Sequence, residues 1–318
     1  MKFIRKQETV QRQPDAILTS DWHIREDTPE CRVDDFMATQ ERKLKWLSDL
    51  QEKFQCPIFD GGDLFDHWKP TPYLLQWTIK RMPKNVWTVP GNHDLAQHNM
   101  ELFDRSGLAV LDKSSAVVIP LNGAECTNLS KDKRIIVIRG HPWETVVHPT
   151  NPDDNSVHVL LTHEMTYLQK DVNPFLKGSS AERLANDYGK MGHSLVVSGH
   201  NHQSFQYKDE ETGCLLVNPG CIMRQRAEEI DYTPRVALWY ADTNSIEWIP
   251  IPVEKEAVTR LHLETKVERE DRIDSFVSRM KKDFEIELSF DRNMRSYLAK
   301  NRTHLEVIKL LDKAMEKE

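Results

Sequence analysis

The chain has 318 residues, with 43 Lys and Arg against 50 Asp and Glu and a formal charge of -7. That length accommodates one full catalytic domain with a smaller appendage, and the acidic balance argues against a uniformly basic nucleic-acid coat. No run of 18 apolar residues occurs and Met1 to Gln13 is polar, so no membrane span is expected and the protein reads as soluble and cytoplasmic. The five cysteines Cys31, Cys56, Cys126, Cys214 and Cys221 include no Cys-x-x-Cys pair, which supports neither a disulfide framework nor a zinc ribbon and predicts reduced thiols.

In chain order, residues 15–20 read as a first core strand carrying Ala16-Ile17-Leu18. Asp34 to Phe54 is free of Gly and Pro and repeats Leu44, Leu47 and Leu50 or Phe54 at helical spacing. Pro57 ends that helix, and Pro57 to Asp60 reads as a second strand, parallel to the first through a right-handed crossover. Thr71 and Pro72 predict a helix to Met82, with Thr71 as N-cap. A short helix follows at Asn99 to Arg105; then Val110, Val117 to Ile119 and Ile135 to Ile138 are strand-like. Asn122 to Lys133 and Val146 to Ser156 are turn-rich, and a helix is expected at Ser180 to Lys190. Ser204 to Lys208, Leu215 to Asn218, Arg235 to Tyr240 and Ser245 to Ile249 predict an antiparallel meander closing a second sheet.

Pro250-Ile251-Pro252 reads as a linker between a catalytic domain, 1–252, and a C-terminal domain, 253–318. From residue 255 onward, 15 Lys and Arg balance 14 Asp and Glu, so the acidity belongs to the larger part. In the tail, Leu261 to Val267 predicts a strand, Arg269 to Phe284 a helix with Ile273, Phe276, Val277 and Met280 on one stripe, and Thr303 to Met315 a last helix that includes Leu305, Ile308, Leu310 and Leu311.

The chemistry sits at five places where an apolar run meets a turn. These carry Asp21 and His23, then Asp63, then Asn92, His93 and Asp94, then His163, then His200 and His202. Any one of these alone is an ordinary polar turn; five together, without competing Cys pairs, predict a metal site. Asp21/His23 and His200/His202 stand at i and i+2, the spacing that one face of a strand presents. Carboxylates and an amide mixed with imidazoles suit Mn, Fe or Zn rather than a thiolate-type zinc. Seven of these groups, Asp21, His23, Asp63, Asn92, His163, His200 and His202, are too many for one ion and suit two, with Asp63 between them. Two ions about 3.5 to 4 Å apart serve the in-line displacement of a phosphoester.

Asp21-Trp22-His23, Gly61-Gly62-Asp63-Leu64-Phe65-Asp66, Gly91-Asn92-His93-Asp94, Thr162-His163-Glu164 and Gly199-His200-Asn201-His202, in this order, resemble the motif set of the calcineurin-like metallophosphoesterases. The Gly-Asp-Leu-Phe-Asp form is most similar to the DNA-repair exonuclease branch containing SbcD-like nuclease subunits, and the resemblance covers about residues 15 to 250. It implies a four-layer α/β/β/α sandwich with a small C-terminal α/β cap. It implies two divalent ions, Mn2+ foremost with Fe, Zn or Mg as alternatives: Asp21, His23, Asp63 and His202 on one, Asp63, Asn92, His163 and His200 on the other.

By the same resemblance His93 protonates the leaving oxygen and Asp94 orients its imidazole. Archaeal and eukaryotic members of the branch carry a second His where this chain has Asp66, with His67 one place later. DNA is the implied substrate, and an SbcC-like coiled-coil ATPase or a second copy of the chain the implied partner. A stand-alone phosphatase of phosphoproteins, or a phosphodiesterase of small molecules or cyclic nucleotides, would use the same metal residues. Three further residues stay open at this stage. His141, next to Pro142-Trp143, reads as structural, substrate-facing or outer-shell; Arg224 and Arg226 read either as phosphate contacts or as a surface pair with Glu228 or Glu229.

Overall fold

The computed structural model describes residues 12–121, 124–126, 134–150, 155–168, 178–261, 263, 272–278, 290–301 and 305–315. The chain divides into two compact units, Met1–Thr259 and Arg260–Glu318.

The first unit is built on two six-stranded sheets. In one, β1 (Ala16–Thr19), β2 (Ile58–Asp60), β3 (Val86–Trp87) and β4 (Val117–Val118) run parallel, and β13 (Arg235–Tyr240) and β14 (Ser245–Pro250) extend the β1 edge antiparallel. In the other, β6 (Ile135–His141), β7 (Ser156–Thr162), β10 (Leu195–Ser198) and β12 (Leu215–Asn218) are parallel, with β5 (Ala124–Cys126) and β11 (Phe205–Lys208) as antiparallel edges. Between Thr162 and the next helix, β8 (Thr166–Tyr167) and β9 (Ser179–Ser180) form a small parallel pair.

Three hydrophobic clusters define the layers. Ile17, Ile58 and Val86 face the helices α1 (Phe36–Phe54), α2 (Pro72–Arg81) and α3 (Gly107–Lys113) through Leu44, Leu47, Leu74 and Leu108. Their strand neighbours Ala16, Leu18, Phe59 and Trp87 point the other way and meet Ile138, Val159, Leu195 and Val217 between the sheets. Leu160, Val196 and Leu216, one residue out of step, cover α4 (Ala181–Lys190) through Leu184, Ala185 and Tyr188. This alternation, with both faces of the sheets buried, gives the α/β/β/α stack.

The helices begin where their caps say. Asp35 accepts from the Ala38 amide (3.0 Å) at the start of α1, Thr71 from Leu74 at α2 (3.1 Å) and Ser180 from Arg183 at α4 (3.3 Å). Each such cap is worth about 1 kcal/mol.

Three sequence expectations are corrected. Val110 lies in α3 rather than in a strand, because Ser106 caps a helix there through the Ala109 amide. The last four strands are not one meander: the β11/β12 hairpin adds to the second sheet and the β13/β14 hairpin to the first, since β13 pairs with β1. Asp21, His23, His200 and His202 lie beyond the ends of β1 and β10, so their i, i+2 spacing is not presented by a strand.

Residues 253–259 belong to the first unit: Val33 N donates to Ala257 O (3.1 Å), Thr259 N to Cys31 O (2.8 Å), and Val258 packs on Cys31 and Ala227. In the second unit the described residues include helices α5 (272–278), α6 (Phe290–Lys300) and α7 (Leu305–Met315). Leu261 and Leu263 are helical rather than extended, and the rest of the strand expected to Val267 lies outside the described residues, as does Met280. Ile273, Phe276 and Val277 are exposed, Phe276 by 57%. Among the described residues no helix is long and apolar enough to cross a membrane.

The carboxyl ends of the two sheets touch at two glycines. A Cβ on Gly61 would lie 2.8 Å from the Ser198 carbonyl group and 2.9 Å from Gly199 N, and one on Gly199 would lie 2.4 Å from Gly61 O. Backbone stands on both sides and cannot yield like a side chain. Gly61→Ala is therefore expected to destabilise the first unit by ~1–3 kcal/mol, read as a lower urea midpoint at unchanged slope.

Candidate metal centre

The turns that leave the parallel strands at this edge bring the expected residues together. After β1 the chain enters left-handed backbone at Asp21 (φ 51°) and again at His23 (φ 45°); after β2 it does so at Asp63 (φ 55°), and after β10 at His200 (φ 71°). Non-glycine residues in this region cost ~1–3 kcal/mol each and persist only where surroundings hold them. Here amides do so: Asp21 N donates to Gly62 O (2.9 Å), His23 N to Asp63 O (3.0 Å) and Ile24 N to Leu64 O (2.8 Å), laying the first turn along the second. Trp22, fully buried, donates its indole N–H to Thr19 Oγ1 (3.1 Å) and pins the first turn into the core.

Two groups of side chains form. Asp21, His23 and His202 converge in one, and Asp63, His163 and His200 in the other. Asp63 stands between them: its Oδ2 is 3.8 Å from His23 Nε2 and 3.1 Å from His163 Nε2, while its Oδ1 accepts from His93 N (2.8 Å). Asn92 Oδ1 is 3.2 Å from His163 Nε2. All seven expected ligand residues are thus assembled on one edge.

The arrangement fits divalent cations. His23 Nε2 and His202 Nε2 approach to 3.1 Å, both beside Asp21 Oδ1, and the buried Asp21 Oδ2 has no hydrogen-bond partner among the described residues. Imidazole nitrogens and carboxylate oxygens aimed at a shared point, with a buried oxygen unsatisfied, are what a cation resolves. Burial, and then the charge of His163, push the His200 imidazole down to about 4, leaving it in the neutral form that binds metal. Burial would raise the Asp63 carboxyl, but His163, His23 and His93 outweigh it and hold Asp63 well below the usual carboxylate range.

His93 is oriented differently from expectation. Its Nδ1 lies 2.7 Å from the Asp66 carbonyl oxygen, which can only accept, so Nδ1 carries a hydrogen and Nε2 is left for proton transfer. Its ring stacks edge-on against His23 at 4.8 Å. Asp94 does not orient His93. Its fully buried carboxylate accepts from the amides of Leu64 (3.2 Å), Phe65 (3.1 Å) and Gly91 (3.1 Å), tying the Asp63 turn to the Asn92 turn. Burial and the Asp63 charge push its carboxyl up to about 7 against the Phe65 and Gly91 donors.

Two supporting carboxylates and Gln225 were not visible in the motifs. Glu229 accepts from His202 Nδ1 (2.8 Å) and from the Gln225 (2.7 Å) and Arg226 (3.1 Å) amides, fixing which His202 nitrogen faces the site. Gln225 donates to His23 O (2.8 Å). Asp60 accepts from Thr19 (2.9 Å), Thr88 (2.7 Å) and Gly62 N (3.0 Å), which shapes the Gly61-Gly62 turn. Glu229 lies 27 residues after His202, with no short-range spacing to reveal it.

The open residues resolve too. His67 is exposed and its Nδ1 accepts from Lys69 N (3.2 Å), away from both groups. His141 joins neither metal group and lies 6.2 Å, ring to ring, from His148. Trp143, by contrast, stacks 4.7 Å from His200. Arg224 is buried on the carbonyls of Ile230 (2.8 Å) and Glu254, with no ion pair to Glu228 or Glu229 among the described residues, and Arg226 is exposed, its amide donating to Glu229 (3.1 Å).

A family model described as calcineurin-like phosphoesterase matches residues 16–204, which hold β1 through β10 and all seven expected ligand residues. The chain belongs to the calcineurin-like phosphoesterase family. It is accordingly a metal-dependent phosphoester hydrolase by family, and its clustered imidazoles and carboxylates agree with the divalent metals such enzymes use. Similar solved structures include one titled a novel archaeal phosphodiesterase, at 12% identity and a TM-score of 0.39, covering 74% of this chain and 98% of that one. Another is a metallophosphoesterase from Sphaerobacter thermophilus, at 12% identity and a TM-score of 0.37, covering 76% and 90%. No curated protein matches the chain.

Partners that orient metal-bound His residues typically change metal affinity about 10- to 100-fold. Glu229→Gln is expected to weaken Mn2+ binding by that order while leaving the fold intact, measured by metal titration with circular dichroism as the control.

Proposed function

We propose that the chain is a two-metal phosphodiesterase acting on DNA, a nuclease of the SbcD type. The observation that carries the phosphodiesterase half is the meeting of two ligand groups at Asp63, with His93 beside them. In this reading Asp21, His23, Asp63 and His202 hold one divalent ion, Mn2+ foremost, and Asp63, Asn92, His163 and His200 a second. Such a pair, when bound, lowers the pKa of water and neutralises charge on the phosphoryl oxygens.

The chain's own residues supply the rest. His93, anchored through Nδ1–H on the Asp66 carbonyl, presents Nε2 to the departing oxygen and delivers a proton from its cationic form. The His93 amide on Asp63 Oδ1 ties that proton donor to the shared carboxylate. Asp94 acts at one remove, as a positioning residue that locks the turns bearing Asp63 and Asn92 together.

The nucleotide reading is supported by a cavity of about 520 Å³ next to His163, with Trp143, Met165 and Leu184 in its wall. That volume suits one nucleoside, and an indole offers a base a stacking face. The Gly-Asp-Leu-Phe-Asp motif supports the SbcD-type branch. The exposed side chains of Phe276, Leu305 and Leu310 in the second unit support a partner surface, whether a coiled-coil ATPase or a second copy of this chain.

With Mn2+ and labelled DNA, a phosphoprotein and a cyclic nucleotide in parallel, the protein is expected to cleave DNA fastest; preference for either of the others would overturn the nuclease assignment. His93→Ala is expected to keep its metal and lose about 10²- to 10⁴-fold in turnover, most on substrates with poor leaving groups. Near-normal turnover on such substrates would remove His93 from the proton-donor role.

A further inference from the structure

Beside α1, a second kind of cavity is built from cations. It measures about 300 Å³, and Arg32, Arg42, Lys43, Trp46, Arg224 and Glu254 are in its wall. Three of these cations are almost fully buried: Arg32 at 7%, Lys43 at 5% and Arg224 at 3% exposure. Buried cations are ordinarily paired with carboxylates, since desolvation costs several kcal/mol per ion in round terms, about the strength of a good ion pair.

Here the pairing is incomplete. Arg32 is matched by Asp34 through two nitrogens (2.8 and 2.6 Å), and Arg42 meets Glu254 (2.7 Å) at the solvent rim. Lys43 donates to the Ile222 carbonyl (2.6 Å), and Arg224 to the carbonyls of Ile230 (2.8 Å) and Glu254; neither is ion-paired among the described residues. Arg224 Nε has no hydrogen-bond partner among them. Beyond Asp34, the charges of Glu229 and Asp231 act on Arg224 without forming an ion pair with it among the described residues, and Glu229 is already engaged by His202 and two amides. Burial, reinforced by the charges of Arg32 and Arg224, pushes the Lys43 ammonium down to about 7, as in a cluster short of negative charge.

We propose that this cavity binds a phosphate dianion, free or carried by a nucleotide, at a site separate from the metal centre. Converging ammonium and guanidinium groups are the donors that phosphate oxygens select, and a dianion supplies the charge that Lys43 and Arg224 lack. Trp46 in the wall is an aromatic ring of the kind on which a base stacks if the phosphate belongs to a nucleotide. The site also abuts the metal centre's support, because Gln225, next to Arg224, bonds both His23 O and Glu229.

The test is calorimetric titration of the full, Mn2+-loaded chain with inorganic phosphate, repeated with excess chelator. A class of phosphate sites that survives chelation is expected. Arg42→Ala, an exposed change outside the metal centre, is expected to weaken that class about tenfold and leave hydrolysis of a chromogenic phosphodiester unchanged. Glu254→Gln, which removes the one acid on the wall, is expected to strengthen it several-fold, a gain that a purely structural role for these cations does not produce. Lys43→Met should abolish it; should that variant fail to fold, the other two decide the matter. Displacement of phosphate by deoxyadenosine 5′-monophosphate would identify a nucleotide as the source, and failure to displace it would identify free phosphate. Absence of chelator-resistant binding at millimolar phosphate, or binding indifferent to both Arg42→Ala and Glu254→Gln, overturns the proposal whether or not the protein cleaves DNA.

Discussion

Everything at the functional edge depends on keeping one carboxylate, Asp63, buried between two sets of imidazoles. Desolvating a charge is costly, and Asp63 is 1% exposed with His23 on one side, His163 on the other and the His93 amide on its Oδ1. The chain reaches this placement through left-handed backbone at four of the expected ligand residues, each a local cost of ~1–3 kcal/mol. Three carboxylates outside the expected ligand set hold those turns in place. Asp60 fixes the glycine turn before Asp63, Asp94 joins that turn to the Asn92 turn, and Glu229 joins the His202 ring to the Gln225 loop. The acids at this edge are therefore divided between groups that face the clustered imidazoles and groups that hold the turns.

The two glycines at the sheet junction belong to the same constraint. Gly61 and Gly199 allow backbone from two different sheets to approach without an intervening Cβ, and that approach brings His163 and His200 beside Asp63. A side chain at either position would push the two sheets apart, and at Gly199 it would also meet His163 Nδ1 at 2.7 Å. Small residues thus set the spacing, and the ligands use it.

Much of this was legible in the sequence because it was written in short motifs. Apolar runs ending in Asp, Asn and His located the seven residues that the structure gathers, and the cap at Thr71 follows a local rule that tertiary contacts leave alone. What stayed hidden is long-range. Whether β13 joins β1 or continues from β12 depends on pairing across more than 200 residues, and no local pattern carries it. Asp94 was misread because adjacency to His93 suggested contact, whereas the turn points its carboxylate inward to three amides. Glu229 was hidden for the opposite reason, being far from His202 in sequence and bonded to it in space. The amphipathic stripe through Ile273, Phe276 and Val277 was visible, but periodicity states only that such a face seeks a cover and not what covers it.

Whether two cations share Asp63 is read directly by electron paramagnetic resonance of the Mn2+-saturated full chain. A spin-coupled Mn2+ pair is expected, replaced in Asp63→Asn by the spectrum of isolated ions. A wild-type spectrum of isolated Mn2+ at saturation, or a coupled pair that persists in Asp63→Asn, would contradict a shared Asp63.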